Sequence, residues 1–362
     1  MKKIILFYGS FDPIHQGHIK IAEEAIKLIK GDKLYFGLNK NSNLKNLAPF
    51  SKRKQMVKLA IKDKSKFDII NIKFDYTNLD DTYDKILSFC NDDNEYYILI
   101  GQDQLNNLNK WYKFSILKKK FKFIIASRHY KEDLENPNYI YLNNKIYNIS
   151  SSEIKAGNYK GLHADVRQYI IENNVYLEKQ LKQYLSLKRI KHVKSVKNLA
   201  LKIYFNNKEG LDKNKIVTAC LLHDIARELP KDKLKYIIKK HYPDKINELA
   251  YIYHQYAGEY LAKKKFFIED KDILEAIKWH TTGNENMSKL TKLVYVSDKL
   301  DPSRGYDSSI LIQKCIDNLD EGFIEVLKDK INYSLQKDEL KTMSESTKKA
   351  INYYLKGENI LC

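Results

Sequence analysis

Apolar residues in the first half of the chain fall into short runs separated by stretches with helical spacing. The runs lie at 4–8, 33–38, 67–72, 96–100 and 121–126. Each is of strand length, and their nearly continuous apolar character fits strands buried on both faces. Between the first two, Ile19, Ala22, Ala25, Ile26 and Ile29 recur three and four residues apart, which predicts a helix from 19 to about 30. This alternation argues for an α/β domain with a parallel, doubly wound sheet, whose ligands sit at the carboxyl ends of the strands. A closing helix is expected over 164–176. Beyond about Leu177 the strand-like runs stop and long amphipathic helical patterns take over, so the rest reads as all-α. The predicted boundary at 178–184 gives domains of 1–180 and 181–362, with no internal repeat or low-complexity linker.

Composition changes this picture little. A chain of 362 residues exceeds what one core usually fills, in keeping with two domains. The formal net charge of +18 suits nucleotides, nucleic acid or anionic surfaces. The lysines are scattered along the chain, however, and its richness in Lys, Asn, Ile and Tyr is what an AT-rich coding sequence gives. A nucleic-acid partner is therefore not expected. Cys90, Cys220, Cys315 and Cys362 are widely spaced without a Cys-x-x-Cys pair, and read as reduced thiols rather than a disulfide framework or zinc knuckle. No apolar run is long enough to span a bilayer and the chain opens directly into a strand, so no membrane partner and a cytoplasmic location are expected. A homo-oligomer is compatible with the sequence.

The densest candidate chemistry follows the first strand: Gly9-Ser10-Phe11-Asp12-Pro13-Ile14-His15-Gln16-Gly17-His18. A strand runs into a tight turn, and two histidines flank a glycine where the helix begins. The N–H groups and positive dipole end of a helix N-terminus hold phosphate. Two imidazoles there add donors for the charge of a phosphoryl-transfer transition state. The pattern resembles the nucleotidylyltransferase signature. Further on come Gly101-Gln102-Asp103, Trp111-Tyr112, Tyr76-Thr77 with Asp81-Thr82, and Ile149-Ser150-Ser151-Ser152-Glu153-Ile154-Lys155. Trp111 and Tyr112 offer a flat aromatic face. Asp103 is suited to a sugar or ring substituent, and Ser151 and Ser152 are placed to cap a helix beginning near Glu153.

Together these elements, over about 1–178, resemble the nicotinate (nicotinamide) mononucleotide adenylyltransferase family. Pantetheine-phosphate adenylyltransferase shares the first motif but is not expected to carry the Gly-x-Asp…Trp arrangement. The resemblance implies a Rossmann-like nucleotidylyltransferase domain that takes ATP, with Mg2+, and nicotinate mononucleotide. It implies that His15, His18 and Lys155 are catalytic and that Gly9, Ser10, Phe11, Asp12, Thr82, Gly101, Asp103, Trp111, Tyr112, Ser151 and Ser152 bind substrate. The mononucleotide phosphate would attack the α-phosphorus of ATP in line and release pyrophosphate. The family's phosphate-binding arginine is here Lys155, which keeps the charge but loses the planar fork. The loop at 39–49 also departs from the family in its prolines.

In the second half, His223-Asp224 follows the apolar Ala219-Cys220-Leu221-Leu222, and His192, His254, His280 and Asp298 lie around it in sequence. Imidazole suits iron or zinc, and a carboxylate can bridge two ions. The order H…HD…H…H…D resembles the HD superfamily of metal phosphohydrolases. The strings Leu-Leu-His-Asp-Ile-Ala, His-Thr-Thr-Gly and Ser-Asp-Lys-Leu-Asp-Pro-Ser-Arg resemble its symmetrical diadenosine tetraphosphate hydrolases, over about 185–345. This implies an all-α HD domain with iron or another di-metal pair held by His192, His223, Asp224, His254, His280 and Asp298. It also implies a dinucleoside polyphosphate substrate, with Arg304 and Lys299 as phosphate partners and Asp224 in catalysis. A non-catalytic nucleotide sensor, or action on another phosphate ester, are the alternatives. His163 and His241 match no motif position and read as surface residues. The tail after about 329 reads as a terminal amphipathic helix.

Overall fold

In the computed structural model of the chain, six parallel strands form one sheet in the order β3-β2-β1-β4-β5-β6. They are β1 (Lys2–Gly9), β2 (Lys33–Leu38), β3 (Phe67–Ile69), β4 (Asn94–Gly101), β5 (Phe121–Ala126) and β6 (Tyr139–Leu142). The structure describes residues 1–40, 47–73, 75, 78–126, 139–142, 148–207, 210–336 and 343–355. Tyr76, Thr77 and Cys362 lie outside them. Helices α1 (Gln16–Ile29), α2 (Phe50–Ile61), α3 (Leu79–Phe89), α4 (Phe114–Lys120), α5 (Ser151–Lys155) and α6 (Ala164–Glu172) accompany the sheet, with a 3-10 helix at Gln102–Lys110.

Two features of this sheet position a site. Ile5, Leu6, Leu34, Phe36, Leu99, Ile124 and Ile125 are fully buried, as strands covered on both faces require. The connection order reverses between β1 and β4, which run side by side with Leu6 opposite Ile98 and Phe7 opposite Leu99. Neighbouring strands whose crossovers leave in opposite directions open a crevice at their carboxyl ends, here Gly9 and Gly101. Gly37 on β2 is required by packing, because a Cβ there would lie 2.2 Å from the Tyr8 ring.

Some sequence expectations need correction. The run at 67–72 gives only three strand residues, and β6, a short edge strand, has no matching run in the sequence reading. The closing helix stops at Glu172 rather than continuing to 176; Asn174 and Tyr176 have φ of 53° and 73°, outside the helical region.

The chain divides into two compact units, Met1–Ile170 and Ile171–Cys362, rather than at 180/181. The shift has a packing cause: Leu177, Leu181 and Leu185 belong to the hydrophobic core of the helical unit. That unit contains α7 (Leu177–Gln180), α8 (Leu187–Asn207), α9 (Lys213–Leu222), α10 (Lys231–His241), α11 (Tyr253–Lys265), α12 (Lys271–Trp279), α13 (Lys289–Lys299), α14 (Ser309–Asp317), α15 (Leu319–Gln336) and α16 (Glu345–Tyr354), and no strand among the described residues. The tail thus gives two helices rather than one. Helix α8 packs against α9, α13 and α14, and α12 against α9, α11 and α13. Asp212, Asp270 and Ser288 cap α9, α12 and α13 by accepting backbone N–H bonds. No helix among the described residues is long and apolar enough to cross a membrane.

Candidate active sites

The first candidate site is built where β1 ends. Gly9 C=O accepts from Asn39 N–H at 3.1 Å, and the Phe11 ring folds back to 3.0 Å from where a Gly9 Cβ would sit. Phe11 itself takes a φ of 43°. His15 is the extended N-cap residue of α1, and its N–H donates to His18 Nδ1 at 3.3 Å. The two imidazoles lie 3.8 Å apart, centroid to centroid, at 32°. Because Nδ1 accepts, a neutral His18 carries its proton on Nε2, where it can donate to an anion. The motif therefore gathers two imidazoles at the positive end of a helix, where Gln16 N–H donates to Gly161 C=O at 2.8 Å and His18 N–H to His15 C=O at 3.0 Å.

Helix α5 comes to the same turn. It begins at Ser151, and its cap is Ser150, whose Oγ accepts from Ser152 N–H at 3.2 Å. This corrects the expectation that Ser151 and Ser152 cap a helix near Glu153. Ser151 Oγ instead donates to Pro13 C=O at 3.3 Å, tying α5 to the first motif. The Lys155 ammonium pairs with the buried Asp12 carboxylate, whose other oxygen accepts from Ala48 N–H at 3.2 Å.

Sequence reasoning passed over Arg53. It is fully buried, and its guanidinium donates to the carbonyls of Ser10 (2.7 Å), Ala48, Asn39 and Lys40 (2.9 Å each). The available signal is helical phase: Arg53 shares the buried face of α2 with Met56, Val57 and Ala60.

On the other side of the crevice, Asp103 folds back over the end of β4, its Oδ1 2.4 Å from where a Gly101 Cβ would lie. Trp111 is half-buried against Phe123, 6.5 Å between centroids. The Tyr112 hydroxyl donates to the Asp80 carboxylate on α3, where the Lys113 ammonium also lies at 2.9 Å. Thr82 is buried on α3, with Oγ1 donating to Asn78 C=O at 2.9 Å and accepting from Asp75 N–H at 3.2 Å. The hydroxyls of Tyr112 and Thr82 are thus engaged with protein groups, whereas Gly101 and Asp103 stand at the strand end.

The second candidate site lies within the helical unit. His192 comes from α8, His223 and Asp224 from the turn closing α9, His254 from α11, His280 from the end of α12, and Asp298 from α13. All six predicted residues converge, and all are buried. Asp224 divides its oxygens. Its Oδ2 lies 3.6 Å from His192 Nε2 and 3.7 Å from His223 Nε2, and its Oδ1 lies 3.4 Å from His254 Nε2 and 3.5 Å from His280 Nε2. Two sets of residues could each hold an ion, His192–His223–Asp224 and Asp224–His254–His280, with Asp224 common to both. Asp298 Oδ1 adds to the first, 3.2 Å from His192 Nε2 and 3.7 Å from His223 Nε2.

The backing of the imidazoles fixes which nitrogen faces inward. His223, His254 and His280 each place Nδ1 2.7–2.8 Å from the carbonyl three residues earlier, that of Cys220, Tyr251 and Ile277. In His223 and His280 Nδ1–H then donates to that carbonyl and Nε2 faces the site, while His254 Nδ1 also lies 2.9 Å from Arg227 Nη1. His192 differs, with Nδ1 2.6 Å from Oδ2 of the fully buried Asp301. Nε2 of His192 and of His223 are buried with no hydrogen-bond partner. Orphaned lone pairs beside shared carboxylates are what a metal-binding donor set requires. Burial, then the neighbouring His280, holds His254 well below its usual pKa, and burial lowers His280, so both imidazoles are neutral at pH 7. For Asp224 and Asp298, burial opposes ionisation, but His223 next to the first, itself raised by these carboxylates against the burial that lowers it, and Lys299 and His192 next to the second hold both well below the usual carboxylate range.

Three cations reach these carboxylates: Arg189 Nη1 lies 2.7 Å from Asp224 Oδ2, Arg304 Nη2 2.6 Å from Asp298 Oδ1, and Lys299 Nζ 3.2 Å from Asp298 Oδ2. Asp301 and Arg189 were not singled out from sequence. Asp301 stands inside the Ser-Asp-Lys-Leu-Asp-Pro-Ser-Arg string, and Arg189 lies one turn before His192.

Comparisons with known proteins follow the same division. Residues 6–157 match the cytidylyltransferase-like family and residues 189–303 the HD domain family. A Mycoplasma genitalium protein described as a probable nicotinate-nucleotide adenylyltransferase/Ap4A hydrolase is 34% identical over 343 residues, covering 90% of this chain and 97% of that protein. Its Mycoplasma pneumoniae counterpart, with the same description, is 30% identical over 316 residues, 84% of this chain and 90% of its own length. The symmetrical bis(5'-nucleosyl)-tetraphosphatase of Bacillus subtilis is 30% identical over 165 residues, 44% of this chain and 86% of that protein.

Proposed function

This chain belongs to the family of fused nicotinate-nucleotide adenylyltransferase/Ap4A hydrolases, and from that premise we propose that it carries both activities at the two sites above. The first unit transfers an adenylyl group from ATP to nicotinate mononucleotide. An oxygen of the mononucleotide phosphate bonds to the α-phosphorus, the bond to the bridging oxygen of the β-phosphate breaks, and deamido-NAD and pyrophosphate result. No protein nucleophile is needed, so catalysis is positioning and charge neutralisation. His18 Nε2–H and His15 face the transferring phosphate at the positive end of α1, and Lys155, shared with Asp12, holds the polyphosphate. Gly101, Asp103 and Trp111 form the mononucleotide side. Magnesium enters as part of the ATP chelate; among the described residues, the clusters able to hold an ion lie in the helical unit.

The second unit hydrolyses diadenosine tetraphosphate to two ADP, consuming one water. His192, His223, Asp224 and Asp298 would hold one metal, and Asp224, His254 and His280 the other, with iron as the proposed occupant. A bound pair supplies an acidified water and charge for the phosphate oxygens. The protein's own residues fix the ligands, and Arg189 and Arg304 supply positive charge at the phosphates. The substrates are cytoplasmic metabolites, and we place the enzyme in that compartment.

The observation that carries the hydrolase reading is the division of the Asp224 oxygens between two histidine pairs. A binding-only sensor has no need of a shared carboxylate between two ion sets. The test is chromatography of the products from diadenosine tetraphosphate with iron- or manganese-loaded protein. ADP as sole product supports the reading; ATP plus AMP, or no turnover, overturns it.

A further inference from the structure

We propose that Arg53 is a positioning residue for adenylyl transfer, holding the Ser10–Phe11 peptide so that its N–H faces the transferring phosphate. The inference rests on the adenylyltransferase reading of the first unit. Arg53 lies on the buried face of α2. Its guanidinium gathers carbonyls from three separate segments: Ser10 in the turn after β1, Asn39 and Lys40 after β2, and Ala48 before α2. Burying a guanidinium is costly unless its donors are met, so these bonds fix the geometry firmly.

Two consequences reach the reacting phosphate. First, the Ser10–Phe11 bond is a trans peptide, so its N–H points opposite to the carbonyl that Arg53 holds. Phe11 holds a φ of 43°, a backbone conformation that needs support from its surroundings, and Arg53 on the preceding carbonyl supplies it. A cation on the Ser10 carbonyl also polarises the same peptide, which strengthens Phe11 N–H as a donor. Second, Arg53 holds the Ala48 carbonyl while Ala48 N–H holds Asp12 Oδ1, and Asp12 pairs with Lys155. One buried guanidinium thereby anchors both the turn and, through Ala48 and Asp12, the ammonium on its far side.

The test uses the full chain with Arg53→Lys and Arg53→Gln, steady-state kinetics for both substrates, and thermal midpoints alongside the wild type. Lysine keeps the charge but spans fewer carbonyls, and glutamine keeps a donor without the charge. The proposal predicts that kcat falls about tenfold or more in both variants. The KM for nicotinate mononucleotide stays within about twofold, because that pocket lies at the end of β4. The Phe11 amide proton should also move upfield in NMR spectra as its polarisation is lost. Wild-type kcat in either variant overturns the proposal. So does loss of activity that only accompanies loss of the folded state in both, which would make Arg53 purely structural. If the wild type itself makes no deamido-NAD, the adenylyltransferase reading fails instead.

Discussion

Replacing Asp301 by asparagine isolates one charge behind one metal ligand. Asp301 is fully buried and lies 2.6 Å from His192 Nδ1, and it also accepts from Ser303 N–H at 3.1 Å. The amide oxygen of asparagine can still accept from Nδ1, so the tautomer and ring orientation survive while the charge is lost. Carboxylates behind ligating histidines typically contribute about 10–100-fold in metal affinity. Retention of the hydrogen bond puts Asp301→Asn near the lower end, about tenfold, or about 1.4 kcal/mol. The other three imidazoles are backed by backbone carbonyls and are untouched, so the effect belongs to the ion set containing His192. Calorimetric titration of metal-free protein with Co2+ reads the loss directly, with Asp307→Asn, an exposed loop position, as control. An isosteric Asp301→Asn protein that binds Co2+ within twofold of wild type would refute the reasoning.

Further outcomes follow from the same geometry. Asp224→Ala should strip both ions, whereas His254→Ala should leave about one ion per chain, because Asp224 alone serves both sets; equal stoichiometry in the two variants would contradict a shared carboxylate. Lys155→Arg should lower the ATP KM about threefold or more, since a fork can hold Asp12 and a phosphate oxygen together; an unchanged KM would show that the fork is not used. Gly37→Ala should cost about 1–3 kcal/mol of stability in the first unit, because its Cβ would lie 2.2 Å from the Tyr8 ring; a thermal midpoint equal to wild type would argue against that packing. Burial pushes the Cys90 thiol up to about 11 from 9.0, Lys120 offsetting only part of it. Being a thiol with a raised pKa, Cys90 is protonated at neutral pH, and its thiolate fraction at pH 8 is about a hundredfold below that of an unperturbed cysteine. Iodoacetamide labelling of its peptide should therefore be slow at pH 8 and rise about tenfold per pH unit toward 11; fast labelling at pH 8 would contradict its burial.

What the sequence made legible was local or periodic. The apolar runs named five of the six strands, and the helical phase of Ile19, Ala22, Ala25, Ile26 and Ile29 matched the buried face of α1. His223, Asp224, His280 and Asp298 were visible because they stand in short strings, His192 and His254 through their order around these, and folding brings all six together. What stayed hidden depends on partners far away in the chain. Arg53 is defined by carbonyls at Ser10 and Asn39, and Asp301 by His192, more than a hundred positions earlier. The cap of α5 slipped by one residue because three consecutive serines are equally good caps, and only Pro13 selects which hydroxyl turns toward the first motif. Thr82 and Tyr112 carry suitable groups for a pocket, but the Thr82 hydroxyl takes the carbonyl four residues earlier, as helical threonines do, and Tyr112 meets Asp80 on α3, thirty-two positions away. Leu177 and its neighbours look helical in either domain; only core packing assigns them to the second.

The central claim is that two separate active sites share this chain. Its most direct test assays wild type, His18→Ala and His223→Ala for both deamido-NAD formation and diadenosine tetraphosphate hydrolysis. The account predicts that His18→Ala loses adenylyl transfer and keeps hydrolysis to ADP, while His223→Ala does the reverse. Loss of both activities in either variant, or of neither, would contradict it.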